Sequence, residues 1–235
     1  MSLINVAIVG TGFGEKVHIP GFQAHHRTQV AAVYHRHLAT AQTIASKHHI
    51  PTATDRLDTI LDRDDITAVS LATPPFLHYE MGKAILEAGK HLLLEKPTTL
   101  NVDEARDLAA IAQANGCITT MDFEYRFVPA WQYFAELIHA NYVGQPRLIR
   151  IDWLMSSRAN PDRPWNWYAR KDMGGGALGA LGSHTFDYIS WLFGSVSRLS
   201  ASLSTSIAQR PDPIENNTLK PVDSDNVCAI TLELA

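Results

Sequence analysis

Three closely spaced glycines near the start of the chain form the first arrangement with an evident chemical use. Gly10, Gly12 and Gly14 directly follow residues 6–9, an apolar run of Val-Ala-Ile-Val. The first glycine permits a tight turn, and the second lets the backbone approach a pyrophosphate, whose charge then lies at the amino end of the following helix. A strand-turn-helix junction without a ligand also favours glycine. The pattern predicts a dinucleotide site.

The residues after the second predicted strand, residues 29–34, bear on which dinucleotide is bound. A fold that prefers NAD usually presents an acidic side chain there, roughly 20 residues after the glycines. This chain has His35 and Arg36 instead, and a guanidinium pairs bidentately with a 2′-phosphate. The sequence therefore favours NADP, with NAD as the second candidate. The alternative interpretation is a solvated strand end formed by residues 35–37.

A lysine follows a later strand and has the chemistry of an acid or base. Lys96 lies in the segment Glu95-Lys96-Pro97, at the edge of the sheet where ligands bind in this architecture. A lysine there can give a proton to an oxygen, or take one from it, while hydride passes to or from a nicotinamide. The neighbouring strand ends in Thr73-Pro74-Pro75, and His78 begins the next helix. A lone Lys-Pro pair would more often be a surface turn.

Strands and helices alternate along the first half of the chain. Strands are predicted at residues 29–34, 66–72, 91–95 and 117–122, and apolar residues recur at helical spacing over residues 102–115. Near-continuous apolar strands joined by helices indicate a parallel, doubly wound sheet. We therefore predict an NAD(P)-binding Rossmann domain over residues 1–123.

The second half has a different pattern. Helices are predicted at residues 130–140 and 183–193, with a long strand at 146–155, alternating segments at 196–207 and 226–234, and a loop over 209–225. These features indicate an α+β domain with an open, mainly antiparallel sheet over residues 124–235. The chain ends within that sheet, so this substrate and oligomerisation domain is expected to be incomplete.

Composition excludes several kinds of partner. The 235 residues carry a formal net charge of −4 and no basic arm, so we expect no nucleic-acid partner. No apolar run is long enough to span a bilayer and no signal segment precedes the first strand, so we expect a cytoplasmic protein without a membrane partner. Adjacent histidines lack a nearby acidic or cysteine set, so we expect no metal.

Taken in order, these motifs and three later ones resemble the Gfo/Idh/MocA family, which includes glucose-fructose oxidoreductase and inositol dehydrogenase. The motifs are Gly10-Thr11-Gly12-Phe13-Gly14 with His18-Ile19-Pro20, Thr73-Pro74-Pro75 with His78, Glu95-Lys96-Pro97, residues 122–127, Gly174-Gly175-Gly176, and residues 182–187 (GSHTFD). The resemblance covers essentially the whole chain. It implies a two-domain NAD(P)-dependent dehydrogenase or reductase that acts on a CH-OH or carbonyl group of a sugar, cyclitol or related small molecule.

The resemblance also implies roles for individual residues. Lys96 would be the acid-base or substrate-orienting lysine, and His184 would hydrogen-bond the reacting oxygen. The cofactor-binding residues would be Gly10, Gly12, Phe13 and Gly14 at the pyrophosphate, His35 and Arg36 at the adenosine ribose, Thr73, Pro74 and His78 on the nicotinamide side, and Glu95 with Lys96 at the cofactor ribose or amide.

Two further residues are predicted to meet the substrate. The resemblance places Arg126 at the start of the substrate domain, within reach of a polar substrate. Trp165 belongs to an aromatic and cationic segment, residues 153–170, that either forms a wall for a sugar or pins a long loop to the sheet.

Three departures from the family pattern favour an alternative function, a non-catalytic NAD(P)-binding regulatory or sensor protein of the same fold. Glu15 occupies the position of the third glycine, and Ala180 stands where many dehydrogenases of the family carry an aspartate four residues before the histidine. Family members also usually continue for roughly another hundred residues, and the large sheet completed there makes a homo-oligomer contact.

Overall fold

The computed structural model describes residues 3–235. Contacts between Cα atoms group the chain into two units, residues 1–122 and residues 123–235. Among the described residues, no helix has both the length and the apolar character needed to cross a bilayer.

The first unit is built on a parallel sheet of six strands. These are β1 (Ile4–Val9), β2 (Thr28–Tyr34), β3 (Thr52–Thr54), β4 (Ala68–Leu71), β5 (His91–Leu94) and β6 (Thr119–Met121). Their order is β3-β2-β1-β4-β5-β6, and every neighbouring pair is parallel. The predicted doubly wound sheet is confirmed. The strand order reverses between β1 and β4, which is the place where such sheets bind ligands.

Helices connect these strands. They are α1 (Ile19–Ala24), α2 (Leu38–His48), α3 (Asp58–Leu61), α4 (His78–Glu87) and α5 (Val102–Ala114), with short helical turns at Gly14–His18 and Pro75–Leu77. Helix α5 shows why the sequence starts a helix where it does. The Asn101 side chain accepts hydrogen bonds from the amides of Asp103 and Glu104, which stabilises the first turn.

The apolar strands have both faces covered, because successive residues of β1 belong to different cores. Ala7 and Val9 pack with residues of α4 and α5 in one buried cluster. Val6 and Ile8 pack with residues of α1 and α2 in another. Burial on both faces explains why these strands are apolar throughout instead of alternating with polar residues.

The second unit is mixed. Its helices are α6 (Pro129–His139), α7 (Ser156–Ala159) and α8 (Ser183–Phe193), with short helical turns at Glu124–Phe127, Trp167–Ala169, Lys171–Met173 and Leu178–Gly182. Its strands are β7 (Val196–Ser204), β8 (Gln209–Asp212), β9 (Thr218–Pro221) and β10 (Val227–Leu234). Strands β7 and β10 form one antiparallel pair and β8 and β9 another. The predicted α+β class with antiparallel sheet is confirmed.

Two predictions for this unit are wrong. Residues 146–155 form no strand, because no described residue offers them a neighbouring strand and an unpaired strand leaves its backbone hydrogen bonds unmade. Residues 209–225 are not simply a loop, since they contain the β8–β9 hairpin. Pro and Asn residues weakened the strand signal there, although Asn216 and Asn217 take the positive φ values that the turn requires.

Candidate functional site

The glycine loop begins where β1 ends, and each of its glycines has a different local requirement. Gly10 has a φ of +98°, and a Cβ atom there would lie 2.4 Å from the Ala72 carbonyl oxygen. Gly12 has nothing within 4 Å of the position of a Cβ and is exposed. Gly14 starts the helical turn that leads into α1. The tight turn and the bare backbone at Gly12 suit a pyrophosphate group.

Two side chains of the glycine loop, Glu15 and Phe13, differ in their contacts. Glu15, at the third-glycine position, points to the end of α2, where its carboxylate lies 2.8 Å from the Lys47 ammonium and 3.4 Å from His48. The hydrogen bond from Lys47 holds the pKa of Glu15 below its usual value. Phe13 is 42% exposed, and its ring meets His18 edge-on at 5.4 Å between centroids.

At the end of β2, the predicted ribose residues differ in exposure. His35 is half-buried, and its Nδ1 accepts the His37 amide at 3.0 Å. Arg36 is exposed, and within residues 3–235 no carboxylate forms an ion pair with it. Its guanidinium is therefore available to an anion.

The end of β4 contributes Thr73, Pro74 and His78. His78 is fully buried, and its ring nitrogens face the carbonyl oxygens of Thr73 at 2.7 Å and Pro97 at 2.9 Å. Burial lowers the pKa of His78, although those oxygens favour the charged form. The ring thus ties the β4 loop to the residues after β5. The Thr73 hydroxyl is buried and has no hydrogen-bond partner within the described part of the chain.

The residues after β5 form a buried charged cluster that sequence reasoning missed. Glu95 is 7% exposed and His18, on the turn after the glycine loop, is 5% exposed. His18 Nε2 lies 3.1 Å from Glu95 Oε1 and 3.0 Å from Asp122 Oδ2, while His18 Nδ1 lies 2.6 Å from the Ser70 hydroxyl. The other Glu95 oxygen accepts the Lys96 amide at 3.1 Å.

The cluster holds an imidazolium. Burial by itself lowers the pKa of His18, but hydrogen bonds to Asp122 and Glu95 outweigh it and raise the pKa to about 9. The hydrogen bond from His18 in turn holds the pKa of Asp122 below its usual value. The sequence placed these three residues in separate motifs, His18-Ile19-Pro20, Glu95-Lys96-Pro97 and residues 122–127, but none of the motifs indicated that the side chains meet.

Three of these groups also have the spacing of a metal site. The ligand atoms of His18, Glu95 and Asp122 all lie within 4.8 Å of one another. Since His18 Nε2 already hydrogen-bonds both carboxylates, an ion pair accounts for the cluster without a cation. The expectation of no metal remains a prediction.

In the second unit, His184 lies in the first turn of α8 and is 4% exposed. Its ring meets Tyr125 edge-on at 4.9 Å between centroids and stacks near Trp153 at 6.4 Å. Its Nε2 lies 3.8 Å from a carboxylate oxygen of Glu124. Aromatic rings and one acidic group therefore fix the imidazole, which the sequence alone did not indicate. Ala180 lies on the preceding helical turn, Leu178–Gly182.

The two predicted substrate residues make structural contacts. The Arg126 guanidinium binds both carboxylate oxygens of Asp187 at 2.7 to 3.0 Å, which connects residues 124–127 to α8. Trp165 donates its indole N–H to the Pro221 carbonyl at 2.9 Å, and Lys220 lies over its ring at 4.9 Å. Contacts of either residue with a substrate remain predictions.

The aromatic and cationic residues of the segment 153–170 separate into different contacts. Arg158 and Arg163 lie over the Tyr168 ring at 3.9 and 4.8 Å. Arg170 pairs with Asp172, whereas Trp153 lies beside His184. The contacts of Trp165 with Pro221 and Lys220 are those that the loop-pinning interpretation expects, and a role of this segment as a wall for a sugar remains a prediction.

The parallel sheet and the glycine loop define a protein of the Rossmann class, in which dinucleotides are bound at this loop. Residues 4–123 match the model of the oxidoreductase family with an NAD-binding Rossmann fold, and residues 131–235 match the GFO/IDH/MocA C-terminal domain. The chain belongs to the Gfo/Idh/MocA family of oxidoreductases.

Similar proteins carry related names. The chain is 53% identical over 232 residues to a protein of Synechocystis sp. named an uncharacterized oxidoreductase, covering 99% of this chain and 62% of that protein. It is 30% identical over 222 residues to levoglucosan dehydrogenase of Pseudarthrobacter phenanthrenivorans, covering 90% of this chain and 56% of that protein. A solved structure of levoglucosan dehydrogenase in complex with NADH and levoglucosan has a TM-score of 0.84 at 27% identity, covering all of this chain and 64% of that one. The chain thus spans less than two thirds of these proteins.

Proposed function

We propose that the protein is an NAD(P)-dependent oxidoreductase that transfers hydride between the nicotinamide and a hydroxyl or carbonyl group of a sugar, cyclitol or related small molecule. The observation that carries the proposal is that the glycine loop and the predicted proton-transferring lysine lie at the same edge of the parallel sheet. The glycine loop follows β1, Thr73 follows β4 and Lys96 follows β5, and these three strands are adjacent in that order. The levoglucosan dehydrogenase complex supports the substrate class by analogy.

The cofactor would be held mainly by the first unit. Gly10, Gly12, Phe13 and Gly14 would surround the pyrophosphate, and the buried Thr73 hydroxyl offers an unused polar group beside them. The other cofactor residues are those predicted from the sequence: His35, Arg36, Pro74, His78, Glu95 and Lys96. When bound, the nicotinamide supplies or accepts the hydride. The exposed Arg36 supports tighter binding of NADP than of NAD.

The proton that accompanies hydride transfer is assigned to Lys96. In the reductive direction its ammonium donates a proton to the carbonyl oxygen as that carbon receives hydride, and in the oxidative direction its amine takes the hydroxyl proton. His184 would donate a hydrogen bond to the same oxygen and so stabilise the charge that develops on it. Arg126 and Trp165 would contact the remainder of the substrate.

The test compares turnover with binding in a Lys96→Ala variant. The purified protein is assayed with NADP⁺ and NAD⁺ against levoglucosan, D-glucose and myo-inositol, while NADPH and NADH binding is followed by nicotinamide fluorescence. Turnover should fall by about 10² to 10⁴-fold, whereas the NADPH dissociation constant should rise by about tenfold at most, the size expected for one lost hydrogen bond to the cofactor. Lys83→Ala is the matched control and should behave as the unmodified protein, because Lys83 is a half-buried lysine of α4 whose ammonium lies 5.9 Å from the centre of the Tyr79 ring.

The second candidate function is a cofactor-binding regulatory or sensor protein, favoured by Ala180 in place of the aspartate. It predicts NADPH binding without turnover of any compound in the panel. Equal turnover in Lys96→Ala and unmodified protein would show that the lysine assignment is wrong.

The proposal also includes location in the cytoplasm and assembly as a homo-oligomer through the sheet of the second unit.

A further inference from the structure

We propose that His18 is a positioning residue for Lys96: its imidazole holds the Glu95 carboxylate, and Glu95 in turn holds the main chain of Lys96. This inference rests on the proposed role of Lys96 as the proton-transferring group. Within the described part of the chain, the His18 ring hydrogen-bonds Ser70, Glu95 and Asp122 and makes no hydrogen bond with the Lys96 side chain, so it acts on Lys96 through Glu95.

The contacts form an uninterrupted series. His18 Nε2 reaches Glu95 Oε1 at 3.1 Å, and Glu95 Oε2 accepts the Lys96 amide at 3.1 Å. One carboxylate therefore uses one oxygen for His18 and the other for Lys96. Rotation of the Glu95 side chain would break both hydrogen bonds together.

The imidazole that starts this series is itself fixed. His18 Nδ1 lies 2.6 Å from the Ser70 hydroxyl, and Nε2 also reaches Asp122 Oδ2 at 3.0 Å. His18 and Ser70 are both buried. The ring thus joins the turn after the glycine loop to the ends of β4, β5 and β6, and its contacts leave it no alternative orientation that keeps all three partners.

The charges explain why a histidine is needed at this place. Glu95 is buried, Asp122 is half-buried, and their carboxylates face one Nε2 atom. Carboxylates this close together, with little water around them, repel unless a cation or donor lies between them. Without His18, Glu95 would turn towards solvent or another donor. Its second oxygen would then leave the Lys96 amide.

Two substitutions of His18 test whether the hydrogen-bond donor at the Nε2 position, and not the imidazole ring as a whole, holds Glu95. In His18→Gln, the side-chain amide can place a donor near the Nε2 position and keep the contact with Glu95. In His18→Asn, the shorter amide reaches the Ser70 side but not Glu95. Ser70→Ala is the matched control, because it removes the Nδ1 partner and leaves the Nε2 contacts in place.

The direct readout is hydrogen exchange of the Lys96 amide, measured by NMR on the purified protein without cofactor. We expect His18→Asn to speed this exchange by about tenfold or more, as expected for loss of a hydrogen bond to a charged acceptor. His18→Gln and Ser70→Ala should stay within about threefold of the unmodified protein. If His18→Asn does not fold, the double variant His18→Asn/Glu95→Gln is used instead, because it removes the unpaired Glu95 charge. Its Lys96 amide should also exchange faster than that of the unmodified protein.

Turnover provides the second readout. With any sugar that the protein oxidises, kcat should decrease in the order unmodified, His18→Gln, His18→Asn, and the NADPH dissociation constant should rise in the same order, because Glu95 is also one of the proposed cofactor residues. If His18 had a purely structural role, kcat would fall equally in both variants, in proportion to the fall in their melting temperatures. If no sugar is oxidised, the proposed function fails, but the amide exchange still decides the role of His18.

Three results would overturn the inference. The first is unchanged Lys96 exchange in a folded His18→Asn variant. The second is equal loss of protection in His18→Gln and His18→Asn. The third is a stoichiometric metal ion, found by elemental analysis of the purified protein and absent from both variants.

Discussion

The charge on His18 makes the stability of the protein depend on pH on the alkaline side. Its pKa of about 9 in the folded protein lies above the ordinary value of 6.5. The stabilisation is therefore complete below pH 6.5 and is lost as pH rises through 9. At about 1.4 kcal/mol for each tenfold change in proton affinity, the full effect is on the order of 3 kcal/mol.

Urea unfolding at several pH values between about 6 and 10 tests this expectation. The free energy of unfolding should decrease over that range in the unmodified protein. In His18→Gln, residue 18 no longer titrates, so the curve should lose most of this slope. A slope that stays the same in the variant would assign the pH dependence to other groups.

Arg36 should decide between the two cofactors. Its side chain is exposed at the end of β2, where a 2′-phosphate would lie. In Arg36→Ala, the NADPH dissociation constant should rise about 10 to 100-fold, the size expected for a hydrogen bond between charged groups, while that of NADH stays within about twofold. Fluorescence titration of both cofactors measures the difference. Equal weakening of both would point to a structural role, and Arg27→Ala is the matched control at the other end of β2.

At the scale of an element, the glycine loop offers a pair of contrasting substitutions. Gly10→Ala combines a φ of +98° with a Cβ 2.4 Å from the Ala72 carbonyl oxygen, so it should lower the free energy of unfolding by about 3 kcal/mol or more. Gly12→Ala meets nothing within 4 Å. It should leave stability within about 0.5 kcal/mol and weaken cofactor binding alone.

Thermal unfolding and NADPH titration of both variants separate these effects. The prediction for Gly12 is wrong if its alanine variant binds NADPH as the unmodified protein does. It would then follow that the pyrophosphate does not approach the backbone at this position.

What the sequence predicted depended on whether the signal was local. The β1 run, the helical spacing over residues 102–115 and the helix Ser183–Phe193 carry their own patterns, so they were predicted. Residues 146–155 were predicted to form a long strand, but a strand also needs a partner, which a local pattern does not reveal. The same limit hid the β8–β9 hairpin, where Pro and Asn lowered the local strand propensity.

The candidate site divides in the same way. The glycines and Lys96 could be found because each sits at a recognisable strand end. His18, Ser70, Glu95 and Asp122 are far apart in sequence, and only the parallel order of β1, β4, β5 and β6 brings their side chains together. Such a cluster depends on the register of four strands, which one sequence does not specify.

At the scale of the whole molecule, the β7–β10 sheet presents two different faces. Leu232 and Leu234 of β10 pack against a buried cluster with Tyr188 and Leu192 of α8. The opposite side, which we call the outer face, is formed by residues 198, 200, 202 and 204 of β7 and residues 227, 229, 231 and 233 of β10, and all of these are exposed. Small Ser, Ala and Thr side chains predominate there, so a second sheet could approach it closely.

We expect the outer face to carry the contact between copies of the protein. Ser202 and Ala229 are paired directly across the two strands, near the middle of this face. The double variant Ser202→Arg/Ala229→Arg places two charges there, which should prevent face-to-face packing, because buried like charges repel. Sedimentation velocity should show a smaller species for the double variant than for the unmodified protein at the same concentration. The melting temperature of the first unit should be unchanged.

Glu87→Arg, at an exposed position of α4, is the control for added charge. The same mass in the double variant would place the contact elsewhere, and a monomeric unmodified protein would remove the expectation of a homo-oligomer.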